Sequence, residues 1–405
     1  MISVLEKSVP VLLVLLAPLL CWALVWFEFP DENTYLFLAV LFILPLALYF
    51  VPAPMHYGPV TEGGMKPSYP ENGMTHISVM TLCLFLGDGY GWWSAEIVAN
   101  LLETTIIPLN IIAFGICFIL LFTGYACGKP PDNGTSKKGI IHDFYAGMWL
   151  HPRILEVDLK LFINSRFSMT LWFLHCISTL VVVYRSPVVD WGVVGCALSQ
   201  LLYLSSFFSQ EPHYVHTIDI IEDRAGFYET WGCIVWVPAV YTLHTRVGLI
   251  YGSNLDFISS LLIFIVGATA LTCNVWANEE RRQFRKSPEK KLFLSSHVGS
   301  YIDATYYTLD ECGEMVTRVN KLLTSGWWGW VRHPQYIFDI IQSFTWGILA
   351  GGFTSNPLAL FYPIYISILL SHRCIRDERR CTKKYGEYYK EYCRIVPMRM
   401  IPYVW

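Results

Sequence analysis

The stretch SGWWGWVRHPQYIFDIIQSF, Ser325 to Phe344, sets Arg332, His333, Gln335, Tyr336 and Asp339 where a charged segment passes into an apolar one. In a helix opened by Pro334, the side chains of Gln335, Asp339, Gln342 and Trp346 recur three or four apart and share one face. A carboxylate at mid-helix costs on the order of 2.5–3.5 kcal/mol against lipid, so that face must look at protein or water. An ionisable side chain inside a membrane segment marks a candidate functional site; the plainer reading is a helix end that snorkels to the interface. Further on, Arg373, Asp377, Arg380 and Lys384 form a helical stripe, with Arg376, Arg379 and Lys383 beside it. A third basic group, Arg281, Arg282, Arg285 and Lys286, ends an earlier apolar run. Each could be a basic face attracted to anionic headgroups. Three such groups converging on one membrane face suit a ligand with several negative charges, such as a phosphorylated nucleotide, since Arg grips phosphate bidentately. Trp327, Trp328, Tyr336 and Tyr385 add flat surfaces for rings.

No common nucleotide motif accounts for these residues. GDGYG (87–91) is not GxGxxG and lies inside an apolar run, and neither GxxxxGK[ST] nor HExxH occurs. His213 and His216 lie three apart in EPHYVH without further ligands, so no metal is expected. The twelve Cys are scattered and form no CxxC, which reads as small apolar filler.

The elements that must position these groups are membrane helices. The 405 residues are 54% hydrophobic and 15% charged, too apolar for a soluble domain of this length. Apolar runs of about 18 residues or more read as spans. Ten occur, near 11–29, 35–52, 76–99, 104–126, 167–186, 189–209, 230–250, 255–277, 336–353 and 357–371. The third carries Asp88 and Glu96, and the last two are short. With ten spans, all of the 29 Lys and Arg except Arg185 and Arg246 fall on one side, which the positive-inside rule makes cytoplasmic. The N-terminal run has no small-x-small cleavage site and reads as an uncleaved first helix.

The expected fold is therefore an all-α polytopic membrane protein of about ten transmembrane helices, with a cofactor pocket on the cytoplasmic side of its C-terminal half. Helices 1–6 occupy residues 1–210, and helices 7–10 with the pockets occupy 211–405. Asp158, Lys160 and Arg166, close before a span, suggest a helix lying along the cytoplasmic surface. NEERRQFRK extends the eighth span beyond the membrane, alternation around DECG (310–313) predicts a β-hairpin, and the tenth helix should run on to just before Gly386.

Six ordered blocks then resemble one family, the membrane sterol reductases: GPVTEGGMKPSYPENG (58–73), DFYAGMWLHPRI (143–154), TIDIIEDRAGFYETWGCIVWVPAVYTL (217–243), ANEERRQFRK (277–286), LLTSGWWGWVRHPQY (322–336) and HRCIRDERRCTKKYGEYYKEYCRIVPMRMIPY (372–403). GPVT, DRAGFY and LLTSGWWG pull toward the 7-reductase branch. The resemblance implies reduction of a sterol ring double bond with NADPH. It also implies cofactor contacts from Arg281, Arg285, Leu323, Trp328, Gln335, Tyr336, Asp377, Cys381, Thr382, Lys383, Lys384, Tyr385 and Tyr392. Its partners are a sterol and the lipid bilayer, with no nucleic acid, in the endoplasmic reticulum of a eukaryote or the inner membrane of a bacterium. Pro334 stands where the 7-reductase branch has an aromatic, Arg281 where Lys is common, and Glu222 where His is usual.

Reduction of an alkene at a protected site needs an acid on one face and a hydride donor on the other, with water excluded so that a cation is not trapped. Tyr241 and Asp223 belong to the expected sterol pocket, and His333 and Asp377 lie nearer the cofactor; the acid is open among them. Three rival readings stand beside the 7,8 bond: reduction of a 14,15 or side-chain bond, a non-catalytic sterol binder, and a membrane S-adenosylmethionine-dependent methyltransferase. The methyltransferases share RHPxY, an acidic pair such as Asp377–Glu378 and a YxxYxxxVP ending.

Overall fold

The computed structural model of the chain describes residues 2–25, 28–61, 65–127, 134–135, 138–292, 297–309 and 314–401. Each of the ten apolar stretches is helical: α1 (Ile2–Ala23), α2 (Glu32–Tyr49), α3 (Gly73–Tyr90), α4 (Leu101–Ala126), α5 (Leu159–Arg185), α6 (Trp191–Ser209), α7 (Phe227–Tyr251), α8 (Phe257–Lys286), α9 (Pro334–Leu349) and α10 (Phe361–Tyr385). Among the described residues seven are long and apolar enough to cross a bilayer; α3 and α9 fall short by hydropathy or length, and of α1 the apolar part described is Val9–Ala23. The chain is an integral membrane protein.

Local chemistry sets the boundaries. The side chains of Asp31, Asp190 and Asp256 accept from the backbone N–H of Thr34, Val193 and Ser259 and so open α2, α6 and α8. Pro334 opens α9. Gly91 (φ 75°) stops α3 and Gly386 (φ 56°) stops α10, positive values that a residue with a Cβ resists. The third stretch therefore breaks, and a short helix, Ala95–Ala99, follows the turn. Its two acids are explained by Arg185, which reaches Asp88 at 2.5 Å and Glu96 at 3.4 Å.

The surface helix expected at Asp158, Lys160 and Arg166 is not formed. These residues begin α5 and are buried, none more than 2% exposed. Desolvated charge must be paired, and each of these charged groups has partners. Asp158 caps α5 and accepts from His151 at 2.7 Å. The Lys160 ammonium donates to the carbonyls of Asp219, Ile220 and Asp223. Arg166 binds Glu211, Asn72 and the Pro70 carbonyl, and lies over the Tyr69 ring. Glu211 also accepts from the Tyr69 hydroxyl and from Gly73 N.

Two segments, Phe162–Ser168 in α5 and Phe227–Tyr241 in α7, are wound in wide π turns. Such turns repeat every four to five residues and are uncommon beyond a single turn. Gly226, before α7, packs so closely on Gly147 that a Cβ would stand 2.2 Å from the Gly147 nitrogen.

The expected hairpin is present: β1 (Tyr301–Leu309) pairs antiparallel with β2 (Met315–Leu323), while its DECG turn lies outside the described residues. It packs on α11 (Glu387–Ile395) through Ala304, Tyr385, Tyr389, Tyr392 and Val396. Beyond α11 the chain doubles back along the start of α9, where Arg332 N and His333 N donate to the carbonyls of Met398 and Arg399, each at 3.0 Å. Glu378 locks this strap by accepting from both Arg332 and Arg399.

Candidate active site

Helix α10 borders two hollows, and α9 walls the larger of them. The larger, about 490 Å³, is bounded mainly by aromatic and aliphatic side chains of α5, α6, α7, α9 and α10, with Leu13 and Ala17 of α1. Its size and lining suit a rigid apolar ligand. The π winding of α7 explains much of the wall, because Tyr228, Gly232, Trp236 and Tyr241 recur at its wider period and all face in. Asp339, Gln342 and Trp346, singled out by spacing, line the same space; Gln335, first of that stripe, does not. Residues 1–210 also contribute, through Tyr145, Asn164, Met169, Trp172 and Tyr203.

The smaller hollow, about 120 Å³, lies between the ends of α8 and α10, β2, α11 and the turn before α9. It gathers Arg281, Arg285, Leu323, Trp328, Asp377, Cys381, Lys384, Tyr385 and Tyr392 from the expected cofactor set, together with the candidate acid His333 and with Lys321, Arg332, Arg380 and Tyr389. Convergence of the three basic groups is thus a geometric fact. Arg373 in the large cavity and Asp377 in the cleft are one turn apart on α10, so a single helix borders both.

Four expected cofactor residues are not in the cleft wall. Thr382 and Lys383 are exposed, because five consecutive residues of a helix cannot share a face and Asp377, Cys381 and Lys384 already define the inner one. Tyr336 stacks behind His333, centroids 5.0 Å apart. Gln335 packs against α8, its carbonyl accepting from Asn274 at 2.9 Å. Arg282 and Lys286 also turn away from the cleft, Arg282 to Glu279.

The three expected acids separate. Tyr241 lines the large cavity, its ring 4.8 Å from that of Tyr362 and 5.3 Å from that of Trp172. Asp223 lies outside both hollows, held by both terminal nitrogens of Arg376 at 2.5 and 3.3 Å. Burial raises its carboxyl above the usual range, against the opposing pull of Arg376. Its carboxylate is thus engaged by Arg376 outside the cavity wall. Burial lowers the His333 imidazole to about 4, with nearby Asp377 acting in the opposite sense. It is neutral at physiological pH and ill suited as an acid.

The cleft also fits a phosphorylated nucleotide. Among the described residues no carboxylate comes within ion-pair distance of Arg281, Arg285 or Lys384. The Arg281 guanidinium lies 3.8 Å from the Trp328 ring centroid, and Lys384 lies 4.1 Å from that of Tyr306. These three cations, beside Tyr385, Tyr389 and Tyr392, match phosphates and a planar ring in chemistry. Among the described residues no His, Cys, Asp and Glu group could hold a metal.

Arg380 belongs to the α10 stripe already read from spacing, and the alternation of β2 could have offered Lys321. The aromatic wall of the large cavity carried no such signal, because Trp172, Tyr203, Tyr362 and Tyr365 read as ordinary membrane core. Asp219 and Glu229 also line it; as acids within or beside an apolar run they were visible but passed over.

A multi-span helical protein with an apolar cavity beside a basic, aromatic cleft is the class that fold and site define. The profile of the ergosterol biosynthesis ERG4/ERG24 family matches residues 17–405, and the chain belongs to that family. It is 37% identical over 352 residues to a protein named 7-dehydrocholesterol reductase from Arabidopsis thaliana, covering 85% of this chain and 78% of that one. It is 32% identical over 405 residues to a probable 7-dehydrocholesterol reductase of Acanthamoeba polyphaga mimivirus, covering 94% and 85%. A protein named Delta(14)-sterol reductase TM7SF2 from Mus musculus is 32% identical over 381 residues, covering 91% and 85%.

Proposed function

We propose that this chain reduces the 7,8 double bond of a 7-dehydrocholesterol-type sterol with NADPH. The observation that carries the reading is one helix, α10, bordering both a sterol-sized aromatic cavity and a cleft in which Arg281, Arg285 and Lys384 have no counter-ion among the described residues. Arg281, Arg285 and Lys384 would hold the phosphates, with Trp328 and the cleft tyrosines flanking the rings. Bound there, NADPH supplies a hydride. The chain's own part is to position the sterol, exclude water with its aromatic wall and deliver a proton, for which the Tyr241 hydroxyl is the assigned donor. The relatives' names support the bond chosen: two of those described are 7-dehydrocholesterol reductases. The mouse relative, and a Delta(14)-sterol reductase of Arabidopsis thaliana 28% identical over 390 residues, keep the 14,15 bond as the second reading. The methyltransferase reading finds no support, since the sterol family accounts for nearly the whole chain.

Expression in a host that accumulates 7-dehydrosterols, followed by mass analysis, tests the reading. The product should gain two hydrogens at the 7,8 position; unchanged 7-dehydrosterols would reject that bond, and reduction of a supplied 14,15-unsaturated sterol in its place would move the assignment to the second reading. Tyr241→Phe should abolish turnover while NADPH still binds, and normal turnover in that variant removes Tyr241 as the donor.

A further inference from the structure

Three carboxylates face the large cavity, and their surroundings differ. Asp219 is paired with Arg373. Asp339 accepts from the Asn274 amide at 2.9 Å and lies beside Gln342 in the lining. Glu229 is buried, 7% exposed, and no cation comes within ion-pair distance of it among the described residues. Its carboxylate accepts only a long bond from Asn164 at 3.3 Å and a weak one from the Cys233 thiol at 3.5 Å. Lys160, a buried cation whose field reaches Glu229, directs its ammonium to three backbone carbonyls instead. Acceptor capacity is thus held open in a mostly apolar cavity, an arrangement that is costly unless a ligand donor completes it.

We propose that Glu229 is the residue that receives the hydroxyl group of the sterol, so that the cavity selects sterols bearing a free hydroxyl. This deepens the function proposed above and rests on it. A sterol offers one strong donor on an otherwise apolar body, and a carboxylate is the strongest single acceptor for it. Glu229 lies on the first π turn of α7 and Asp219 precedes that helix, so hydroxyl and ring system would be fixed at the same end of the cavity as Arg373. Glu229 acts here as a positioning residue: it fixes the hydroxyl while other groups meet the reacting carbons.

The test compares 7-dehydrocholesterol with its 3-O-methyl ether, which keeps the rings but cannot donate. Purified protein in lipid nanodiscs with NADPH should reduce the alcohol about 10- to 150-fold more efficiently in kcat/KM than the ether, the range expected for one hydrogen bond to a charged group. In Glu229→Leu that ratio should collapse toward one, chiefly through a higher KM for the alcohol. A wild-type protein that treats both sterols alike overturns the proposal without any variant. So does a Glu229→Leu protein that keeps the wild-type ratio, or one that loses kcat equally with both sterols, since Glu229 would then serve the chemical step. If the wild-type protein reduces neither sterol, the proposed function fails instead. Equilibrium binding of the two sterols then tests the anchor alone: preference for the alcohol sustains it and equal affinity overturns it.

Discussion

Replacing Arg281 with Met separates the needs of the cleft from those of the fold. The guanidinium rests on Trp328 and faces the cleft with Arg285 as a neighbour; Asp377 attracts it from the same cleft, but among the described residues no carboxylate is within ion-pair distance. Methionine keeps most of the stem's contact with the indole and removes only the charge. One charge-assisted bond to a phosphate is worth about 1.5–3 kcal/mol, so NADPH should bind about 10- to 150-fold more weakly. The free protein loses no ion pair and is relieved of repulsion from Arg285, so its melting temperature should hold or rise slightly. Calorimetric titration of NADPH into detergent-solubilised protein, beside thermal unfolding without nucleotide, reads both quantities. An NADPH Kd within twofold of wild type, or a lower melting temperature in the free protein, would refute Arg281 as a phosphate ligand.

Glu211→Gln should destabilise the fold by about 3–5 kcal/mol, because it leaves the fully buried Arg166 charge without its counter-ion; thermal unfolding reads this, and an unchanged transition would count against the pair. Gly226→Ala should cost about 1–3 kcal/mol by overpacking, since the new Cβ meets the backbone of Gly147, and lower yield and melting temperature would register it. His333 is lowered to about 4 from an ordinary 6.5, so the unfolded chain binds the proton first as pH falls. Its stabilising contribution is complete above about 6.5 and is lost progressively between 6.5 and about 4. His333→Asn should flatten that part of the stability–pH curve, and a curve of unchanged slope would remove His333 as its source.

Much of the scaffold was legible because hydropathy and charge report directly on the bilayer. Pro334, Gly386 and the alternation in β1 and β2 carried element boundaries, and the α10 stripe carried one wall of the cleft. What stayed hidden depends on long-range pairing. Asp158, Lys160 and Arg166 read as surface charge because their partners, Glu211 and the carbonyls of 219–223, stand 45 or more positions away from Arg166 and Lys160. The π winding of α7 has no signature in a 3.6-residue search, so its inward face, Glu229 included, could not be drawn. The run 381–385 was taken whole from a resemblance, and helix geometry divides it.

The strap that lays Met398 and Arg399 along the start of α9 bears on biogenesis. Arg332 meets the Val396 carbonyl, a partner 64 positions later in the chain. A translocon can therefore release α1 to α8 one after another while the basic cleft still lacks α10, α11 and its clasp. A ribosome stalled or terminated before residue 396 would leave a polypeptide already threaded through the bilayer with its cation-lined face gaping. That unfinished surface is a natural mark for membrane quality control to read.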